Sequence, residues 1–348
     1  MCGIAGIFYR DGNQVQADLL SKMTRVLYHR GPDYGAVWHK AQFGLGHRRL
    51  KIIDLSDSSN QPMTNEDRTI WLSFNGEIYN YKDLKEILIK CGHVFRSNSD
   101  TEVILHAYEE WGLDCLGRMN GMFALGLVDL NKKCLLLARD RLGIKPLFYF
   151  YNDKKLLFAS EIKAILMDPS LMREIEPKSL DTFLSFNYVA APNTMFKGIH
   201  QVLPGEYLFA GNDFLQKNIY WKPSFVADDH MTQEECDRLF IELFSASVER
   251  RLGSDVPFGA FLSGGLDSSS VVSLMARYKR GCIKTFSIDF EENDFSEASN
   301  AQCVASHLGL EHYVKTMGVP QPEFFRRIVW SSEEPTADAS AIPMHMLS

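Results

Sequence analysis

Two architectures follow one another in this chain: an α+β region of antiparallel sheets, then an α/β region with a parallel sheet. Three observations predict them. Short apolar runs come in quick succession between residues 122 and 160, with only turn residues between them. Helical periodicity is confined to a few stretches set apart from those runs. After about residue 230, strand-like and helix-like segments alternate instead. The length of 348 residues also exceeds what one hydrophobic core normally organises.

Element by element, Ile4–Tyr9 reads as the first strand, and Leu19, Met23, Val26 and Leu27 recur at helical spacing. Tyr28-His29-Arg30-Gly31-Pro32-Asp33 reads as a turn. His47-Arg48-Arg49 is a basic stretch leading into an apolar strand, Leu50–Asp54. Thr69–Phe74 is a strand that Asn75-Gly76 ends in a hairpin-type turn. Leu84, Ile87, Leu88 and Cys91 mark a helix. Val103, Ile104, Ala107, Tyr108 and Trp111 mark another, opened by Ser97–Glu102 with Ser99 and Glu102 spaced as a capping box. Strands follow at Met122–Asp129, Cys134–Arg139, Leu147–Tyr151 and Leu156–Ser160.

Residues 216–231, polar from Trp221-Lys222-Pro223 through Asp228-Asp229-His230, read as a linker between a first domain, 1–215, and a second, 232–348. The second domain shows a helix from Thr232 to about Arg251, a strand at Val256–Leu262 and a helix from Ser268 to about Arg280. A strand at Lys284–Phe290 and a helix at Ala298–Leu308 complete the alternation. So few β–α units rarely bury both faces of a parallel sheet, so this domain is expected to be incomplete.

Composition narrows the function classes. With 45% apolar and 23% charged residues the chain is built like a globular protein, and its net charge of −7 argues against a general nucleic-acid binder. No apolar run reaches the ~18 residues of a membrane span, and MCGIAGIFYRDG, with no charged segment before a long apolar stretch, is not expected to act as a secretory signal. Seven cysteines (Cys2, Cys91, Cys115, Cys134, Cys236, Cys282, Cys303) are scattered without a C-x-x-C pair, which gives neither a disulfide framework nor a zinc site. His47, His93 and His106 show no metal-ligand spacing and read as structural or surface residues. A cytoplasmic setting is expected.

Cys2 follows the initiator methionine. Once that methionine is removed, a thiol and an α-amine share one residue, and the amine can serve as the thiol's base without a histidine. Further on, Ser263-Gly264-Gly265-Leu266-Asp267-Ser268 forms a glycine turn between a strand and a helix, an anion site through unpaired N–H groups and the positive end of the helix. It lacks the Gly-Lys-Ser/Thr ending of a Walker A loop.

The ordered series MCGIAGIF, HRGPD, HRRL, NGEIYN, SDTE, GMFALGL and RDRLGIKPLFY resembles the glutaminase domain of class II, amino-terminal-nucleophile (Ntn) glutamine amidotransferases. SGGLDSS resembles the pyrophosphate loop of the ATP-pyrophosphatase superfamily, and the order of the two is that of the asparagine synthetase family. The resemblance implies a four-layer Ntn-hydrolase sandwich followed by a parallel-sheet ATP-pyrophosphatase domain. It implies that Cys2 attacks glutamine, that Asn75 and Gly76 form the oxyanion hole, and that Arg49, Leu50, Ile52, Glu77 and Asp100 bind the rest of glutamine. Arg49 would take the α-carboxylate, and Asp100, with Glu77, the α-ammonium. Leu262, Ser263, Gly264, Gly265, Asp267, Ser268 and Ile288 would bind ATP, with Asp267 beside Mg²⁺. The implied reaction adenylates aspartate and amidates it with ammonia. The segment Glu333-Glu334-Pro335-Thr336-Ala337-Asp338-Ala339-Ser340-Ala341-Ile342-Pro343 resembles a variant whose relatives include enzymes that amidate sugar acids. Another carboxylate acceptor, or glutaminase activity alone, is therefore the alternative. Its partners would be small molecules, with a homodimer left open.

Overall fold

The computed structural model describes residues 1–226, 230–279, 281, 283–290, 297–318, 321–335, 337–338 and 340–347. Asp228, Asp229, Arg280, Cys282, Thr336 and Ala339, which figure in the sequence reading, lie outside the described residues. The chain divides into two compact units, Met1–Ser224 with Glu333–Thr336, and Phe225–Ser332 with Ala337–Ser348.

The first unit holds two antiparallel sheets. One runs in the order β10 (Ile199–Gln201), β8 (Phe148–Tyr151), β9 (Lys155–Ala159), β1 (Gly3–Tyr9), β3 (Phe43–Arg49), β2 (Tyr34–Lys40). The other runs β12 (Leu215–Ile219), β11 (Glu206–Ala210), β7 (Cys134–Arg139), β6 (Gly121–Asp129), β5 (Ile70–Ile78), β4 (Met63–Thr64). Successive side chains of a strand face opposite sides. In β1, Ile4 and Phe8 therefore enter a core between the sheets with Leu45, Val128 and Leu137, while Ala5 and Ile7 face outward. That outer face is covered by α1 (Ala17–Arg25) and α5 (Ile162–Ile165) through Leu20, Met23 and Ile162. On the far side of the second sheet, α2 (Tyr81–Lys90) and α3 (Asp100–Trp111) pack Leu84, Leu88, Ile104 and Leu105 on Leu72, Phe123 and Leu125. The short α4 (Cys115–Arg118) and the longer α6 (Pro177–Phe186) complete the helices of this unit. The layers are helix, sheet, sheet, helix, the arrangement expected of the Ntn fold.

Strands buried on both faces read as unbroken apolar runs, which is why β1, β6, β7 and β9 stand out in the sequence. The edge strand β2 alternates half-buried and exposed residues, and β3 carries two glycines and a basic end, so neither was anticipated. Four local expectations are corrected. Asn75-Gly76 lies inside β5, paired with Ala124 and Phe123, and makes no turn. Glycine is needed there because a Cβ would meet Met122 O at 2.2 Å, so β6 can approach only a bare backbone. Leu50–Asp54 is not a strand: β3 stops at Arg49 and the chain wraps around that side chain, with Asp54 at φ 49°. Ser99 caps α3 by accepting the Thr101 N–H, but Glu102 accepts from Arg96 and Ser97, so no capping box closes. Residues 216–219, expected in the linker, continue the strand Leu215–Ile219 that pairs with β11, and the first unit runs on to Ser224.

In the second unit a Thr232–Glu235 capping box starts α7 (Gln233–Arg250). Three parallel strands follow in the order β13 (Gly259–Phe261), β14 (Lys284–Phe290), β15 (Glu311–Met317), linked by α8 (Leu266–Tyr278) and α9 (Ala298–Leu308). β15 escaped the sequence reading because it is largely exposed and lacks an apolar run. α10 (Pro322–Ser332) and α11 (Ala341–Leu347) complete the described part. Among the described residues no helix is long and apolar enough to cross a membrane.

Candidate active site

Pairing of Gly3 with Arg48 brings the amino terminus alongside the end of β3. There the Leu50 N–H donates to Cys2 Sγ at 3.4 Å, and the thiol faces the Leu50 carbonyl at 3.7 Å. Arg30 Nε donates to the Cys2 carbonyl at 2.9 Å, and its Nη1 to Glu161 at 2.9 Å. The HRGPD segment thus fixes the backbone that carries the thiol. A single cavity is lined by Cys2, Arg49, Leu50, Ile52, Asn75, Gly76, Glu77 and Asp100, all the first-domain residues singled out from sequence. Met1, Ser59, Gln61 and Lys145 line it too and were not anticipated.

Burial pushes the Cys2 thiol above its usual value, although the Leu50 hydrogen bond, the terminal amine and Arg49 all pull it back. Burial moves the neighbouring α-amine the other way, below its usual value. The two groups are thus shifted in opposite directions, the amine toward the free-base form that can accept a proton. That amine belongs to Met1. Lys145, almost fully buried, is held below its usual value by burial and by Arg30.

Asn75 is 1% exposed, and its Nδ2 has no hydrogen-bond partner. A buried amide donor left open in this way is uncommon and asks for an acceptor. Beside it, the Phe74 N–H donates to Gln61 Oε1 at 2.7 Å and the Ile78 N–H to Asp100 Oδ2 at 2.9 Å. Along a strand, alternate N–H groups share a side, so Gly76 N–H lies in the same row, between two that are taken. His47 supports the row from below: its Nε2 meets the Phe74 carbonyl at 3.0 Å, and burial drives its pKa down to about 3, which keeps it neutral.

Arg49 and Asp100 close the two ends. Arg49 is buried, and its Nη1 donates to Ser56 O and Asn60 Oδ1, each at 2.8 Å. Its Nη2 turns to the Asp54 carbonyl and, at 3.4 Å, to that of Ile53. The wrapped 50–60 loop thus occupies the ends of the guanidinium fork. Asp100 is raised to about 6 by burial, against the hydrogen bonds from Ile78, Ser99 and Thr101. It is a buried carboxylate with a strong preference for a cation.

In the second unit the glycine turn sits at the carboxyl ends of parallel strands, where open α/β sheets bind ligands. Gly264 has φ +82°, and a Cβ there would meet Ala301 N at 2.6 Å, so the turn needs glycine on two counts. Ser263 and Ser268 hydroxyls meet at 3.0 Å, and Ser263 Oγ accepts the Gly265 N–H at 3.3 Å. Asp267 is exposed in the first turn of α8. Leu262 is buried, with its N–H on Phe286 O at 2.9 Å and its carbonyl accepting from Ser287, next to Ile288. The turn and helix start offer exposed hydroxyl and N–H donors suited to phosphate oxygens.

Comparisons with known proteins agree with this division. Residues 1–221 match the family described as glutamine amidotransferase domain, and residues 239–348 the family described as asparagine synthase. Asparagine synthetase [glutamine-hydrolyzing] 1 of Bacillus subtilis is 37% identical over 100% of this chain and 55% of its own length. Putative asparagine synthetase [glutamine-hydrolyzing] 2 of Methanocaldococcus jannaschii is 33% identical over 100% of this chain and 71% of its own. The chain thus spans only about half of the Bacillus relative. A solved structure titled as the allosteric regulatory enzyme of purine biosynthesis shares the fold at TM-score 0.50 and 15% identity, over 90% of this chain and 80% of that one.

Proposed function

The chain belongs to the glutamine-hydrolysing asparagine synthetase family, and from that premise we propose that its first unit releases ammonia from free glutamine for amide synthesis by the second. One observation carries the reading: Cys2, the open Nδ2 of Asn75 and the buried Asp100 carboxylate meet in one cavity.

Removal of Met1 leaves the free amine on Cys2. As Sγ attacks the side-chain carbonyl carbon of glutamine, that amine takes the thiol proton. The carbonyl oxygen gains charge between Asn75 Nδ2 and Gly76 N–H. The C–N bond then breaks, the amine returns the proton to the leaving nitrogen, and ammonia departs. Water hydrolyses the thioester to glutamate. Asp100, with Glu77, takes the α-ammonium, and Arg49 the α-carboxylate through Nε and by exchanging a loop carbonyl for the ligand, against Leu50 and Ile52. A ruler charged at both ends admits a free amino acid and rejects an amide within a peptide.

In the second unit Ser263, Gly264, Gly265, Asp267 and Ser268 would hold the phosphates of ATP, Leu262 and Ile288 would flank its base, and Asp267 would help hold Mg²⁺. ATP supplies activation of a carboxylate, which ammonia does not attack unaided. Aspartate is the proposed acceptor and asparagine, AMP and pyrophosphate the products. The six free thiols among the described residues suit a cytoplasmic setting.

A product assay tests both parts. This chain given glutamine alone is expected to release glutamate, and silence there ends the amidotransferase reading. A longer form given glutamine, ATP, Mg²⁺ and a set of carboxylates is expected to yield asparagine with AMP. An amide of another acid would replace aspartate as acceptor.

The charge on Asp100 also sets a pH dependence. Its pKa of about 6 lies above the usual carboxylate value, so it loses charge as pH falls through that point. For free enzyme, kcat/KM for glutamine is expected to fall about tenfold per unit below pH ~6, through KM, and Asp100→Asn should flatten that limb at a low level. A profile unchanged between pH 7 and 5 would take the ammonium away from Asp100.

A further inference from the structure

We propose that His93, His106 and Glu109, on the outer helical layer and outside the glutamine cavity, form a binding site for a zinc-type divalent transition-metal ion. No short ligand motif joins these residues in the sequence, where the two histidines read as structural or surface. Tertiary structure brings them together. His106 and Glu109 lie one turn apart on the same face of α3. The chain leaving α2 bends at Gly92, with φ +100°, and the His93 N–H is tied to Leu88 O at 3.1 Å, which sets the His93 ring 4.9 Å from that of His106.

Donor atoms of the three side chains all lie within 4.8 Å of one another. Glu109 Oε2 stands 2.8 Å from His106 Nδ1 and 3.7 Å from His93 Nδ1. Around a tetrahedral ion with bonds of ~2.0–2.1 Å, neighbouring donors sit about 3.3 Å apart, between those two distances. The third pair, between the two imidazoles, lies within 4.8 Å, so a turn of the partly exposed His93 ring would bring three donors to an ion and leave a fourth position for water.

The surroundings fit a metal ligand set. Asn65 Nδ2 donates to Glu109 Oε1 at 2.8 Å and leaves Oε2 for the site. The His106 side chain is 2% exposed, and its Nε2 has no hydrogen-bond partner. The Glu66 and Glu102 carboxylates stand 3.7 and 3.8 Å from that nitrogen, where a histidine bound through Nδ1 sends its other N–H. Glu110 adds a further carboxylate 3.3 Å from His93. Four carboxylates around two imidazoles leave negative charge in excess even with both rings protonated. Glu109 and Glu110 stay partly exposed, so an ion can enter. Two nitrogens with one oxygen favour zinc-type ions over Mg²⁺ or Ca²⁺, which prefer all-oxygen shells.

The test is titration of the whole chain, stripped with chelator and dialysed, with Zn²⁺ alone by calorimetry and with Co²⁺ alone by absorption. One equivalent is expected, with cobalt bands free of thiolate charge transfer and a higher melting temperature in Zn²⁺. His93→Ala and Glu109→Gln, both at partly exposed positions, should each weaken binding by more than ~10-fold and abolish the melting shift, with glutamate release unchanged in His93→Ala. Three results would overturn the site: no binding, equal affinity in both variants, or thiolate–cobalt bands that put the ion on cysteine. The first would leave the cluster as a metal-free brace between α2 and α3. None of these outcomes touches the glutaminase reading, which is scored by glutamate release.

Discussion

Cys2→Ala should reduce glutamate release from glutamine by roughly 10⁴-fold or more, the scale on which enzymes lose activity with their nucleophile. The expectation is this large because no other thiol among the described residues lines the cavity, so nothing replaces the attacking atom. Folding should change little. The Cys2 side chain contributes one weak contact pair with Leu50, while the backbone is held by Arg30 through the Cys2 carbonyl, which alanine keeps. In a longer form carrying the full synthetase site, amide synthesis from free ammonia should survive. Measured glutamate release at the parent rate, with folding intact, would remove the nucleophile from Cys2.

Asn75→Ala is the second large effect. Loss of one oxyanion donor lowers kcat by about 10²–10³, with KM for glutamine within roughly threefold, because the contact forms only as charge develops on oxygen. A structural role makes the opposite forecast. A buried asparagine that braces β5 would cost stability on removal, whereas the Asn75 Nδ2 group holds no partner to lose. Melting of Asn75→Ala is therefore expected within about 1 kcal/mol of the parent. Asn75→Asp keeps the shape, removes the donor and adds repulsion toward the oxyanion, so its kcat should fall at least as far. A KM rise with kcat unchanged would assign Asn75 to ground-state binding instead.

Much of the fold was legible because its signals are local. β6, β7 and β9 are buried on both faces, so their residues are apolar without interruption, and α3 carries its core residues at helical spacing. Where neighbours decide, local reading failed. Asn75-Gly76 has the composition of a tight turn, yet the approach of β6 makes it a strand in which glycine is a steric requirement. Leu50–Asp54 is apolar enough for a strand, yet its carbonyls are drawn around the buried Arg49 guanidinium.

The same division runs through the site. By itself, the sequence determined the chemical inventory: a thiol next to the amino terminus, an amide and a glycine side by side, an arginine, an aspartate, and a glycine turn opening a helix. These are covalent facts, and chain order is enough to read them. Tertiary structure alone decided which donors are left open, in which direction burial shifts Asp100 and the terminal amine, and that Arg49 is shared with a loop. It also decided that His93 meets His106 and Glu109. Each of these depends on desolvation or on approach between residues distant in sequence, and both exist only once the layers have packed.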